Sequence, residues 1–192
     1  MDALRILIAD DESLRVMSLK GQLESLGHKV VAEASNGKEA IHLADELRPD
    51  LAILDIKMPE MDGIEAAQKI MAVRPIPIIL LTAYSERELA ERAASANVAA
   101  YLMKPVSEQD LLPAIALAVS RFKEFQSLHQ EVDDLRDALE TRKLIERAKG
   151  ILMRRLGLSE EEAFRRLQRR SQNENKRLSE IAQAIITADG ML

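Results

Sequence analysis

Neither cysteine nor tryptophan occurs in the 192 residues. Disulfides are excluded, as is zinc or iron–sulfur ligation by thiolate, and the absence fits a reducing compartment. Aromatic residues make up 3% of the chain, too few for a module that stacks many bases on rings. No stretch approaches the roughly 18 to 20 apolar residues of a membrane span. The N-terminal Met1-Asp2-Ala3-Leu4-Arg5 lacks the basic and apolar regions of a signal peptide, so a cytoplasmic protein without membrane association is expected. Proline is missing after Pro113, and no glycine follows it until Gly150. Without its usual breakers, this long stretch reads as helix.

What is present suits a globular protein. Hydrophobic residues at 47% and charged residues at 31% allow one substantial core and a second, smaller unit. The formal net charge of −5 hides an asymmetry. Residues 1–140 hold 15 Lys+Arg against 25 Asp+Glu, or −10, whereas residues 141–192 hold 12 against 7, or +5.

Five short apolar runs alternate with helical patterns over the first 120 or so residues, as in successive βα units of a parallel sheet. The runs are Arg5–Ala9, Lys29–Glu33, Asp50–Leu54, Ile76–Leu81 and Val98–Leu102. The first, third and fourth read as buried central strands. Residues 13–26, 37–47, 63–73 and 85–95 carry helical spacing, with Gly27, Pro49 and Pro75 past three of the ends. The class is α/β, a (βα)5 open sheet, followed by an all-α segment.

In an open parallel sheet, ligands gather at the carboxyl ends of the strands. Asp10 and Asp11 stand at the first such end, Asp55 at the third and Thr82 at the fourth, and Lys104-Pro105 follows the fifth. Three carboxylates meeting there require a hard cation, and Mg²⁺ with oxygen ligands fits. A lysine and a hydroxyl at the same rim suit phosphoryl chemistry on one carboxylate. With Met58-Pro59, Asp62-Gly63, Thr82-Ala83, Tyr101 and Lys104-Pro105 in place, residues 1–121 resemble the receiver domain of bacterial two-component response regulators. The resemblance implies a flavodoxin-like fold and a phosphoacceptor role for Asp55, with a sensor histidine kinase as donor. It implies Mg²⁺ held by Asp10, Asp11, Asp55 and the Lys57 backbone carbonyl, and Lys104 paired with the phosphoryl oxygens. It further implies a cis Lys104-Pro105 bond, Thr82 moving to bond the phosphoryl group, and Tyr101 turning inward after it.

Beyond residue 121 two readings of one stripe stay open. Phe125, Leu128, Val132, Leu135 and Leu139 fall on alternating three- and four-residue steps, which suits either a dimer seam or an apolar stripe packed on its own chain. This linker, 122–141, leads into a basic region 142–192. A break at Gly157-Leu158-Ser159 and a capping box from Ser159 to Glu162 predict a second helix, with Phe164 in the core beside Ile151, Leu156 and Leu167. The polar string Ser171–Arg177 predicts a turn, and Leu178 to about Ala188 a third helix.

All 12 basic residues of the last segment lie between Arg142 and Arg177, a footprint of nucleic-acid binding. A helix-turn-helix beginning at Leu178 would need a recognition helix, and only ten residues follow Ala182. Ala148-Lys149-Gly150 with Met153, Ala163-Phe164, Asn175 and Ala182 instead resemble the ANTAR domain, the RNA-binding antitermination domain named for the AmiR and NasR regulators. That resemblance implies a three-helix module binding paired hairpins in leader RNA. Lys149, Gly150, Arg154, Arg170, Ser171, Asn175 and Lys176 are the expected RNA-facing positions. Gly150 costs about 1 kcal/mol against alanine in mid-helix, which either close packing or approach to a phosphate would justify. The combined expectation is a homodimeric regulator whose only phosphoryl chemistry is on its own aspartate. Alternatives are DNA binding or protein docking by the helical tail, or a metal-dependent phosphatase.

Overall fold

The computed structural model describes residues 2–83 and 98–190. Its elements are β1 (Arg5–Ala9), α1 (Ser13–Ser25), β2 (Lys29–Ala34), α2 (Gly37–Leu47), β3 (Leu51–Asp55), α3 (Gly63–Val73), β4 (Ile78–Thr82), β5 (Ala100–Met103), α4 (Glu108–Leu156), α5 (Glu160–Glu174) and α6 (Leu178–Asp189). The helix expected over 85–95 lies outside the described residues. The chain divides into two compact units, residues 1–126 and 127–192.

In the first unit the five strands are parallel, in the order β2-β1-β3-β4-β5. Strand order reverses beside β1, the switch point at which open α/β sheets place their ligands. The two-residue period of each strand sorts its side chains onto two cores. Leu7, Ala9, Ala52, Leu54, Ile78 and Leu80 enter the layer shared with α2 and α3. Ile6, Ile8, Leu51, Ile53, Ile79 and Leu81 enter the layer shared with α1 and the start of α4. Every residue of β3 and β4 is buried, as expected of central strands, and β5 alternates.

Several boundaries differ from the expected ones for local reasons. Asp50 stays outside β3, its carboxylate accepting the Arg5 N–H at 2.8 Å. β4 starts at Ile78, after Pro77, which has no N–H to give the ladder. The long helix starts at Glu108, ahead of Pro113, because Asp110 accepts both the Ser107 hydroxyl at 2.6 Å and the Ser107 N–H at 3.1 Å.

In the second unit Ala148, Leu167, Ile181 and Ala182 form the core, with Leu144, Ile145, Leu152 and Leu178 among those packed around it. Gly157, at φ 67°, ends α4 in the left-handed region, and the capping box of Ser159 and Glu162 starts α5. Two expectations are corrected. Helix α5 runs to Glu174, so the turn is Asn175 to Arg177, entered through Asn175 at φ 49°. Leu156, the last residue of α4, is exposed, and Phe164 is only partly buried because Ala163 and Leu167, one helical turn apart, are the positions of α5 that face the core.

Candidate functional site

Three buried strands converge on the acidic cluster. Asp10 follows β1 and is 3% exposed, Asp55 closes β3 at 4%, and Asp11 stands open to solvent. One oxygen of each lies within 4.8 Å of the other two. Hard oxygen donors at that spacing fit Mg²⁺, and the mutual repulsion of the carboxylates favours a cation between them. Lys104 Nζ reaches into the cluster from the end of β5, 2.7 Å from Asp10 Oδ2 and 2.8 Å from Asp55 Oδ2. The Lys104-Pro105 bond is cis, and the Lys104 N–H donates to the Thr82 carbonyl at 2.7 Å. Thr82 is buried. Asp11, Asp55, Lys57, Thr82 and Lys104 line a cavity of about 260 Å³ at the strand ends.

The loop after β3 is fixed by α3. Asp62 caps that helix by accepting the Glu65 N–H at 2.7 Å. Gly63 donates its N–H to the Ile56 carbonyl at 3.0 Å. A Cβ at Gly63 would stand 2.0 Å from the Asp55 carbonyl oxygen, so only glycine lets α3 sit this close behind the acceptor.

In the helical tail the expected RNA-facing residues fall at two places. Arg170, Ser171, Asn175 and Lys176 gather at the C-terminal end of α5. Arg170 Nε and Lys176 Nζ both hold Glu174, at 2.6 and 3.1 Å, and the Ser171 hydroxyl donates to the Lys176 carbonyl at 2.6 Å. Lys149, in α4, faces the first turn of α5 and is 7% exposed. Its ammonium sits 2.6 Å from Glu160 Oε1 and 2.9 Å from Glu146 Oε1. Hydrogen bonds to these two carboxylates raise the Lys149 pKa and lower that of Glu160. Near it, a Cβ on Gly150 would stand 3.6 Å from Arg154 Nη1, an ordinary van der Waals contact.

Comparison with known proteins matches residues 6–116 to the response regulator receiver domain and residues 133–186 to the ANTAR domain. The chain belongs to the response regulators that join these two domains. It is similar to the transcriptional regulatory protein PdtaR of Mycobacterium tuberculosis, 47% identical over 97% of this chain and 91% of that protein. The chemotaxis protein CheY of Thermotoga maritima is 36% identical over 58% of this chain and 93% of its own. Among solved structures, the receiver domain of a modulated diguanylate cyclase from Desulfovibrio desulfuricans matches with a TM-score of 0.60. That match has 38% identity and covers 64% of this chain and 98% of the other.

In the receiver domain, the structure therefore brings Asp10, Asp11, Asp55, Thr82 and Lys104 to one rim, with Lys57 beside them. Tyr101 is 62% exposed on β5. In the ANTAR domain, Lys149, expected to face RNA, is 7% exposed. Its ammonium is paired with two carboxylates whose side chains are themselves 56% and 69% exposed. Sequence reasoning missed one member of the receiver site, Arg15, whose guanidinium approaches both Asp10 and Asp55. Its only sequence signal is a cation in the first helical turn after an acidic strand end. Among the described residues no helix is long and apolar enough to cross a membrane.

Proposed function

We propose that Asp55 accepts a phosphoryl group from a sensor histidine kinase and that its phosphorylation controls binding of leader-RNA hairpins by the ANTAR domain, favouring antitermination. The observation that carries this reading is the placement of Lys104 Nζ between Asp10 and Asp55 at the mouth of a cavity. An Asp55 oxygen attacks the phosphorus of a phosphohistidine; the P–O bond forms as the P–N bond breaks, and the imidazole leaves as the neutral base once protonated. Lys104, held by Asp10, is positioned to follow the new phosphoryl oxygens. Thr82 is placed one strand away to hydrogen-bond them. Mg²⁺, held by Asp10, Asp11, Asp55 and the Lys57 carbonyl, would supply charge neutralisation during transfer.

On the output side, Arg154, Arg170, Ser171, Asn175 and Lys176 are the proposed RNA contacts, supported by the exposure of all but the half-buried Ser171 on the basic domain. Gly150 joins them, because among the described residues a side chain there would meet only the flexible end of Arg154, which favours approach by an RNA phosphate over packing as the reason for its helix cost. Pairing through α4 would present two ANTAR domains together and raise their effective concentration on paired hairpins. Leu128, Val132, Leu135 and Leu139 are 46–63% exposed. In a parallel heptad seam Glu131 and Arg136 take flanking positions of opposite charge that face each other across the pair.

The test is binding of a two-hairpin leader RNA by the full chain before and after treatment with acetyl phosphate and Mg²⁺. Tighter binding after treatment, abolished by Asp55→Ala and falling steeply with salt, is the expected result. Unchanged affinity would sink the regulatory reading, and salt-insensitive binding would favour protein docking.

A further inference from the structure

Lys104 shares the acidic cluster with a second cation, Arg15. Arg15, in the first turn of α1, places Nη1 3.3 Å from Asp10 Oδ2 and 3.4 Å from Asp55 Oδ2, the same two oxygens that Lys104 holds. The other oxygen of Asp10, Oδ1, accepts the Glu12 N–H at 2.9 Å. Both oxygens of this buried carboxylate are thus committed within the chain. A Mg²⁺ ion requires carboxylate oxygens at about 2.0–2.1 Å in near-ideal octahedral geometry. A guanidinium on the same oxygens is a competitor of like charge.

Arg15 is also built to leave. Its Nε is paired with the Glu12 carboxylate, and its side chain is 45% exposed, against 15% for Lys104. Lys104 is therefore enclosed at the site, whereas Arg15 is tethered beside it and free to turn toward solvent.

We propose that Arg15 is a positioning residue of the phosphorylation site, holding Asp10 and Asp55 in the resting protein and competing with the divalent cation for their oxygens. Cation entry turns the guanidinium out onto Glu12. Three carboxylates faced by two cations carry one formal negative charge less than with Lys104 alone, so resting affinity for Mg²⁺ is set low by this arginine. The proposal rests on the reading of Asp10, Asp11 and Asp55 as the Mg²⁺ site.

The experiment is calorimetric titration of the unphosphorylated full chain with Mg²⁺ alone, with no phosphodonor. Arg15→Met is expected to tighten Mg²⁺ binding on the order of tenfold, the effect of removing one nearby charge in a partly solvated site. Arg15→Lys, which keeps the charge, stays much closer to the wild type. Lys20→Met is the control, since Lys20 lies on the same helix but pairs with Glu33 at 2.8 Å, outside the cluster. Equal affinity in wild type and Arg15→Met, or equal tightening by Lys20→Met, overturns the proposal while leaving the metal site standing. If neither the wild type nor Arg15→Met binds Mg²⁺, the metal-site reading itself fails and the proposal falls with it. Far-ultraviolet circular dichroism confirms that each variant is folded.

Discussion

Lys149 Nζ lies 2.6 Å from Glu160 Oε1, so one ion pair ties the last turns of α4 to the first turn of α5 across the Gly157 break. Hydrogen bonding to Lys149 holds the Glu160 carboxyl below its ordinary range. A depressed carboxylate contributes stability that is present above its unfolded pKa and is lost as pH falls through the folded one. Glu160→Gln is therefore expected to lower the melting temperature at pH 7 and to lower it less at pH 4. A melting temperature unchanged at pH 7 would show that the tie contributes nothing. Lys149→Ala is expected to weaken RNA binding through loss of fold, leaving phosphorylation of Asp55 intact.

Gly63 is expected to tolerate no side chain. Its Cβ would meet the Asp55 carbonyl oxygen at 2.0 Å, so Gly63→Ala must push α3 off the sheet, at a cost of about 1–3 kcal/mol or more. Urea unfolding would measure the loss, and slower phosphorylation of Asp55 should accompany it. Wild-type stability in this variant would contradict the packing described.

His28 gives the receiver domain a weak point on the acid side. It is 7% exposed, and its Nδ1 accepts the Leu4 N–H at 3.3 Å. Burial pushes its pKa below the ordinary 6.5. The unfolded chain then takes up a proton that the folded one refuses, so stability is full above about pH 6.5 and declines as pH falls below it. His28→Asn is expected to flatten the dependence of the urea midpoint between pH 7 and pH 5. An unaltered slope would assign that dependence to other groups.

Leu135 tests the dimer seam. If it packs against a second copy, Leu135→Asp removes one buried leucine from each partner and should weaken dimerisation on the order of a hundredfold or more. Sedimentation velocity reads this directly. A wild-type chain that stays monomeric at all concentrations, with or without a phosphoryl mimic, would rule the seam out.

The receiver domain was legible in the sequence because its signals are local and redundant. Ile6, Ile8, Ile53 and Ile79 alternate with residues of the opposite core, and Asp10, Asp55 and Thr82 stand at strand ends where a parallel sheet must bring them together. Arg15 was not legible, because its reach depends on the rotamer of a half-exposed side chain rather than on strand register. The ANTAR domain was legible as three helices and less so as a surface. Lys149 reads as one more cation in a basic run, and only the packing of α5 on α4 shows its ammonium enclosed by Glu146 and Glu160. Ala163 displaced Phe164 from the core for a similar reason, since helical spacing names a face but does not say which of two adjacent positions points inward.

The link between Asp55 and the ANTAR domain is tested most directly by one titration. Affinity for a two-hairpin leader RNA is measured for wild type and Asp55→Ala, each with and without Mg²⁺ and beryllofluoride as the phosphoryl mimic. The expected result is at least about tenfold tighter binding of the mimic-treated wild type, a coupling of about 1.4 kcal/mol, and no response in Asp55→Ala. Equal affinity of the wild type in both conditions would contradict phosphorylation control of RNA binding.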